Sequence, residues 1–193
     1  MKLKKLLLGI AALALSLQMQ LALAGNPEVK METSKGTIVI ELYPDKAPGT
    51  VANFLQYVKD GAYDGTIFHR VIKDFMNQGG GFTADYKKVE TRAPIQNEAD
   101  NGLKNLKYTV AMARTGDPHS ATNQFFINTA NNDFLDFTGK TTRGWGYAVF
   151  GKVVAGQNIV GAISRVPTGP GGPFMKDVPR TPIVIQKMTL VEE

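Results

Sequence analysis

Residues 66–80 read Thr-Ile-Phe-His-Arg-Val-Ile-Lys-Asp-Phe-Met-Asn-Gln-Gly-Gly. The first seven favour a strand, and a period of two sends Phe68, Arg70 and Ile72 to one face. A cation between two large apolar side chains is unusual. It is either an edge-strand arginine reaching water along its apolar stem or the polar group of an apolar pocket. In Phe75–Gln78, Met76 and Gln78 share a face, and the glycines that follow permit close backbone approach. Gln124-Phe125-Phe126-Ile127 repeats the theme, with Gln124 and Phe126 on one side. Together these segments offer Arg, Gln, Met and Phe for an apolar pocket holding a few polar groups.

Outward from this stretch, the chain reads mostly as short strands between Gly, Asn and Asp. Thr37–Tyr43 alternates with Ile38, Ile40 and Leu42 on one side. Further candidates are Tyr108–Ala113, Gln124–Asn128, Tyr147–Val153 and Ile183–Val191. Val51, Phe54, Leu55 and Val58 form one helical stripe, with Thr50 as its expected N-cap and Gly61 just past its end. A second helix is expected over Gln157–Ser164, with Ile159, Val160 and Ile163 on one side. Gly169–Pro173 reads as a loop. Such a pattern fits a barrel or a sandwich, and periodicity does not separate them.

The N-terminus has a different character. Lys2, Lys4 and Lys5 precede an apolar run from Leu6 to Leu17, and Ala22-Leu23-Ala24 supplies small residues before a cleavage point at Gly25. That order marks a secretory leader over residues 1–24, with one domain over 25–193. Gln18 and Gln20 interrupt the run short of the ~20 apolar residues of a spanning helix, so no membrane association is expected after cleavage. The leader carries three of the 22 Lys and Arg and none of the 17 Asp and Glu, which leaves the domain at +2. No basic run remains to follow a phosphate backbone, which weighs against nucleic acid. With no cysteine, the domain has neither disulfides nor thiol chemistry.

Familiar catalytic arrangements are missing. No G-x-S-x-G elbow occurs. Gly79-Gly80-Gly81 lacks the Lys-Ser/Thr of a phosphate loop. Asp117, His119 and Ser120 are too close along one loop for triad geometry. Two histidines and no cysteine leave little for a metal. No metal site is expected.

Phe68-His69-Arg70-Val71-Ile72 with Phe75-Met76-Asn77-Gln78-Gly79-Gly80 resembles the cyclophilin signature F-H-R-x-I-x-x-F-M-x-Q-G-G. Met112-Ala113, Gln124–Ile127 and Val149-Phe150-Gly151-Lys152-Val153 match later blocks of that family in the same order. The resemblance covers Val29 to Val191. It implies a mainly β fold, a closed eight-stranded antiparallel barrel capped by two α-helices. It also implies peptidyl-prolyl cis-trans isomerase activity without a cofactor on proline-containing polypeptides. The exported, cysteine-free form is similar to periplasmic bacterial cyclophilins, and the small size favours a monomer.

By the same resemblance, Arg70 is the catalytic arginine, with Gln78 assigned beside it. Phe75, Met76, Phe126 and Leu135 form the proline pocket. Ala113 and Gln124 line the groove with Gln78, and Arg114 stands where backbone contacts to the peptide are made. Phe134 and Tyr147 occupy rim positions where many eukaryotic members have tryptophan and histidine, which weighs against tight cyclosporin binding. Phe137–Gly146 reads as a longer loop than theirs. His69 is expected on the opposite strand face, in a supporting, core or surface role. A barrel that merely holds proline-containing chains is the alternative. Its mark would be loss of the arginine or the pocket phenylalanines, and both are present.

Overall fold

The computed structural model describes residues 25–191, so the leader expected over residues 1–24 lies outside the described residues. Eight strands form one antiparallel sheet: β1 (Glu28–Thr33), β2 (Gly36–Leu42), β3 (Thr66–Ile72), β4 (Met76–Thr83), β5 (Thr109–Met112), β6 (Phe125–Asn128), β7 (Val149–Ala155) and β10 (Ile185–Leu190). Their order is β10-β1-β2-β7-β5-β6-β4-β3. The sheet curls until its edges meet. Gly65 N–H donates to Ile185 O at 2.8 Å and Phe68 N–H to Ile183 O at 3.0 Å, beside an Ile67–Val184 bridge. The result is the expected eight-stranded barrel, nearly closed, whose sealed seam leaves little free edge.

Two helices complete it, α1 (Pro48–Lys59) and α2 (Gln157–Ile163). Phe54, Val51, Val160 and Ile163 bury in the same cluster as the inward residues Ile38, Ile40, Phe68, Phe125, Ile127 and Phe150. Thr50 is not the N-cap of α1. The helix starts two residues earlier at Pro48, and Ala47 provides no side-chain cap. Glu98, distant in sequence, supplies the cap instead. Its carboxylate accepts from Gly49 N–H (3.0 Å), Thr50 N–H (2.8 Å) and the Thr50 hydroxyl (2.6 Å), a negative charge where the helix presents unpaired donors.

Several boundaries differ from the sequence reading. β1 was not among the expected strands, yet Val29, Met31 and Thr33 point inward while Glu28, Lys30 and Glu32 face out. β4 runs on through Gly79-Gly80-Gly81 to Thr83, because β3 pairs with the glycine segment. Part of Gly169–Pro173 is strand: β8 (Thr168–Gly171) and β9 (Phe174–Pro179) form a hairpin that turns at Gly172-Pro173.

The largest departure lies in β3. Phe68 pairs with Gly79 and Arg70 with the adjacent Gln78, so His69 is an extra residue on one strand. Such a bulge reverses the inward-outward phase. Phe68 and Val71 therefore enter the barrel core, while Ile72 packs with a separate outer cluster. The simple alternation that placed Phe68, Arg70 and Ile72 on one face fails at this residue.

His69 is 2% exposed, with its ring against Phe82 of β4 (4.9 Å) and Phe174 of β9 (5.3 Å). Among the described residues its Nδ1 has no hydrogen-bond partner. Burial pushes the imidazole pKa down from 6.5 to about 4, and the Arg70 charge acts in the same direction. Below pH 6.5 the unfolded chain binds a proton that the folded chain refuses until about pH 4. The contribution is thus complete above pH 6.5 and is lost as the pH falls through that window. At pH 4.5 wild type should have lost about 2 kcal/mol more of its neutral-pH stability than His69→Phe. Urea unfolding at pH 7.5 and 4.5 measures this, and equal losses in both proteins would contradict it.

Candidate active site

The outer cluster is small: Met76, Ala111, Phe126, Leu135 and Val149 are buried, with Ile72, Phe75, Leu103, Ala113 and Tyr147 packed around them. At its surface lies a cavity of about 120 Å³, walled by Phe75, Met76, Phe126, Leu135 and Tyr147, with Arg70, Gln78, Ala113 and Arg114 as its remaining lining. β3, β4 and β6 bring Arg70, Met76, Gln78 and Phe126 together, since Met76 and Gln78 alternate outward on β4 and Gln78 pairs with Phe126 on β6. Phe75, Ala113, Arg114, Leu135 and Tyr147 come from the segments between strands. Nine of the eleven residues expected at the site meet in this one cavity.

Arg70 is held loosely. Its Nη1 donates to Gln78 Oε1 at 3.4 Å, and its Cζ lies 6.0 Å from the centre of the Phe75 ring. Among the described residues no carboxylate forms an ion pair with it. Gln78 in turn donates from Nε2 to Gln124 Oε1 at 2.9 Å. The guanidinium keeps a full charge and free donors beside an apolar wall, a setting in which an added acceptor is bound strongly.

Two expected residues lie elsewhere. Gln124 lines a larger adjoining groove of about 350 Å³, which shares Gln78, Ala113 and Arg114 with the cavity and adds Lys88 and Thr122. Phe134 is 75% exposed and flanks the cavity only through Phe75, its ring 5.6 Å away. Arg114 turns its guanidinium over Tyr147, 4.7 Å from the ring centre, and donates from Nε to Gly146 O at 2.9 Å. Asp117, His119 and Ser120 make no triad. His119 Nδ1 accepts from Asn97 N–H at 3.1 Å, and the Ser120 hydroxyl donates to Asp117 O at 2.7 Å.

Sequence reading missed the asparagines that fix the pocket walls. Asn132 Nδ2 donates to Phe75 O at 2.9 Å and to Asn128 Oδ1 at 2.7 Å. Asn128 Nδ2 donates to Asn105 Oδ1 and to the Thr109 hydroxyl. Asn105 Nδ2 then reaches Leu135 O at 3.1 Å. All three asparagines are buried. Their amides therefore anchor the backbone beneath Phe75 and Leu135, and a buried network of this kind rigidifies when fully paired. Asparagines in turn-rich segments look like turn formers, so only their burial distinguishes them.

The cyclophilin type peptidyl-prolyl cis-trans isomerase family model matches residues 28–190. A peptidyl-prolyl cis-trans isomerase of Streptomyces antibioticus is 61% identical over 84% of this chain and 98% of its own. Peptidyl-prolyl cis-trans isomerase B of Escherichia coli is 53% identical over 85% and 99%. Among solved structures, a cyclophilin type isomerase of Cryptosporidium parvum superposes with a TM-score of 0.68 at 25% identity, covering 86% of this chain and 98% of that one. With the family model spanning almost every described residue, this chain belongs to the cyclophilin-type peptidyl-prolyl cis-trans isomerases.

Proposed function

We propose that the chain accelerates cis/trans isomerisation of X-Pro bonds in exported polypeptides, with Arg70 assisting the loss of amide resonance and no covalent intermediate. The observation that carries this reading is a guanidinium with no ion-pair partner among the described residues, at the edge of a small cavity walled by Phe75, Met76, Phe126 and Leu135. Rotation about a prolyl amide is slow because resonance must be broken, at about 18–20 kcal/mol. No bond breaks, so a nucleophile is not required.

As the amide twists, the proline nitrogen becomes pyramidal and its lone pair localises. A donor aimed at that nitrogen gains strength only along the reaction path, which is selective binding of the transition state. Arginine suits the role because it stays charged and presents donors in a rigid fork. Gln78 steadies it without neutralising it, since an amide accepts the hydrogen bond but carries no charge. Phe75, Met76, Phe126 and Leu135 hold the proline ring while the preceding carbonyl swings, and they exclude water that would compete for the guanidinium. A millionfold acceleration needs about 8 kcal/mol. One well-placed charged donor supplies about 3–4 of these, and positioning and desolvation supply the rest.

Export is part of the same proposal. The family match begins at residue 28, three residues beyond the expected cleavage point at Gly25, so removal of residues 1–24 would leave the matched domain whole. The Lys-rich start, apolar run and Ala22-Leu23-Ala24 are what favour export to the periplasm. Edman sequencing of the protein recovered from a periplasmic extract should begin at Gly25-Asn26-Pro27. Intact protein confined to the cytoplasm would refute this part.

The roles of Arg70 and Phe126 separate kinetically. In a protease-coupled assay on a proline-containing peptide, Arg70→Ala should lower turnover at least about tenfold, a loss of about 1.4 kcal/mol, with the fold intact. Phe126→Ala should mainly weaken peptide affinity. Near-normal turnover in the first variant would remove Arg70 from the mechanism, and unchanged affinity in the second would remove Phe126 from the pocket.

A further inference from the structure

Gly79-Gly80-Gly81 is only partly explained by the backbone. Gly80 has φ of +82°, and a methyl group there would lie 2.8 Å from Tyr63 and 3.0 Å from Phe125, two rings fixed in the core. Gly81 differs. Its φ lies outside the left-handed region, so conformation alone does not demand glycine. What excludes a side chain is Gln124. A methyl group on Gly81 would lie 2.5 Å from Cδ, 2.6 Å from Cγ and 2.7 Å from Nε2 of that residue. Gln124 therefore lies flat against the bare Cα of β4.

This contact connects to Arg70 through two amides whose polarity is fixed by chemistry. A guanidinium has donors only, so Gln78 must turn Oε1 toward Arg70. That leaves Gln78 Nε2 needing an acceptor, and Gln124 Oε1 provides it at 2.9 Å. If Gln124 is displaced, Gln78 loses the partner that fixes its orientation, and its amide is free to rotate its own donors toward Arg70.

We propose that Gly81 is a positioning residue: by admitting Gln124 onto β4 it fixes Gln78, and through Gln78 it aims the Arg70 guanidinium. The proposal rests on the reading of Arg70 as the transition-state donor. It makes Gln124 part of the support for that donor as well as a wall of the adjoining groove. It also separates the two neighbouring glycines. A side chain at Gly80 collides with rings that have nowhere to go, whereas one at Gly81 meets the end of a half-buried side chain with open groove beside it. Gly81→Ala thus displaces Gln124 without disrupting the core.

The test compares wild type, Gly81→Ala, Gln124→Leu, the double variant and Arg70→Ala by turnover, peptide affinity and the ¹H–¹⁵N signals of the glutamine side-chain amides. Gly81→Ala should stay folded, shift the Gln78 and Gln124 amide signals and lower kcat about fivefold, a misalignment effect, with affinity unchanged within about twofold. The double variant should be no slower than Gln124→Leu alone, since both substitutions break one relay. Normal kcat in Gly81→Ala, or losses that multiply in the double variant, would overturn the proposal. A Gly81→Ala chain that does not fold would also overturn it, because the constraint would then be core packing. If Arg70→Ala loses turnover while Gly81→Ala keeps it, only the positioning role fails. If Arg70→Ala turns over normally, the role of Arg70 itself fails.

Discussion

The structure depends on one extra residue in β3. In a regular strand, side chains two apart share a face, so with Phe68 inside the barrel Arg70 would follow it there. A charge in that core would be opposed by a large desolvation penalty. The bulge at His69 removes the conflict. It lets Phe68 and Val71 fill the interior while Arg70 joins Met76, Gln78 and Phe126 on the outer surface. The barrel can then pack as an apolar body and still present a guanidinium over an apolar cleft. Bulges commonly re-aim a side chain next to an active site.

Around that residue the buried apolar side chains divide between two clusters. The interior, closed by α1, α2 and the β3–β10 seam, holds the scaffold. The outer cluster is shallow, and its walls come partly from irregular chain around Phe75, Leu135 and Tyr147. Buried asparagine amides hold those carbonyls in place. A rigid wall matters because the proposed reaction needs the proline ring held while the neighbouring carbonyl moves. Loose walls would bind ground state and twisted state alike, which lowers no barrier.

Most of the strands and both helices were legible in the sequence, because Ile38, Ile40 and Leu42, or Val51, Phe54, Leu55 and Val58, carry clean periods of two and 3.6. The pocket composition was legible too, since Arg70, Met76, Gln78 and Phe126 are conspicuous in their segments. Barrel rather than sandwich was not, because strand order is set by partners remote in sequence. The resemblance to cyclophilins supplied it. Three further features escaped for physical reasons. The bulge depends on how β3 registers against β4, and a single strand's pattern holds no record of its neighbour. The Glu98 cap acts on a helix 48 residues earlier, beyond any local capping pattern. Thr50 seemed the cap because it precedes the apolar stripe, but Pro48 already has the backbone angle of a first helical turn.

On the proposed mechanism a guanidinium fork, aimed at the proline nitrogen, binds the twisted amide better than the planar one. Arg70→Lys isolates this effect, since the charge remains while the rigid fork is lost. NMR exchange spectroscopy on a proline-containing peptide, with affinity measured on the same samples, separates the two contributions. The expected result is at least about a tenfold fall in the isomerisation rate of the bound peptide, with affinity within about twofold of wild type. Wild-type rates with lysine at position 70 would contradict it.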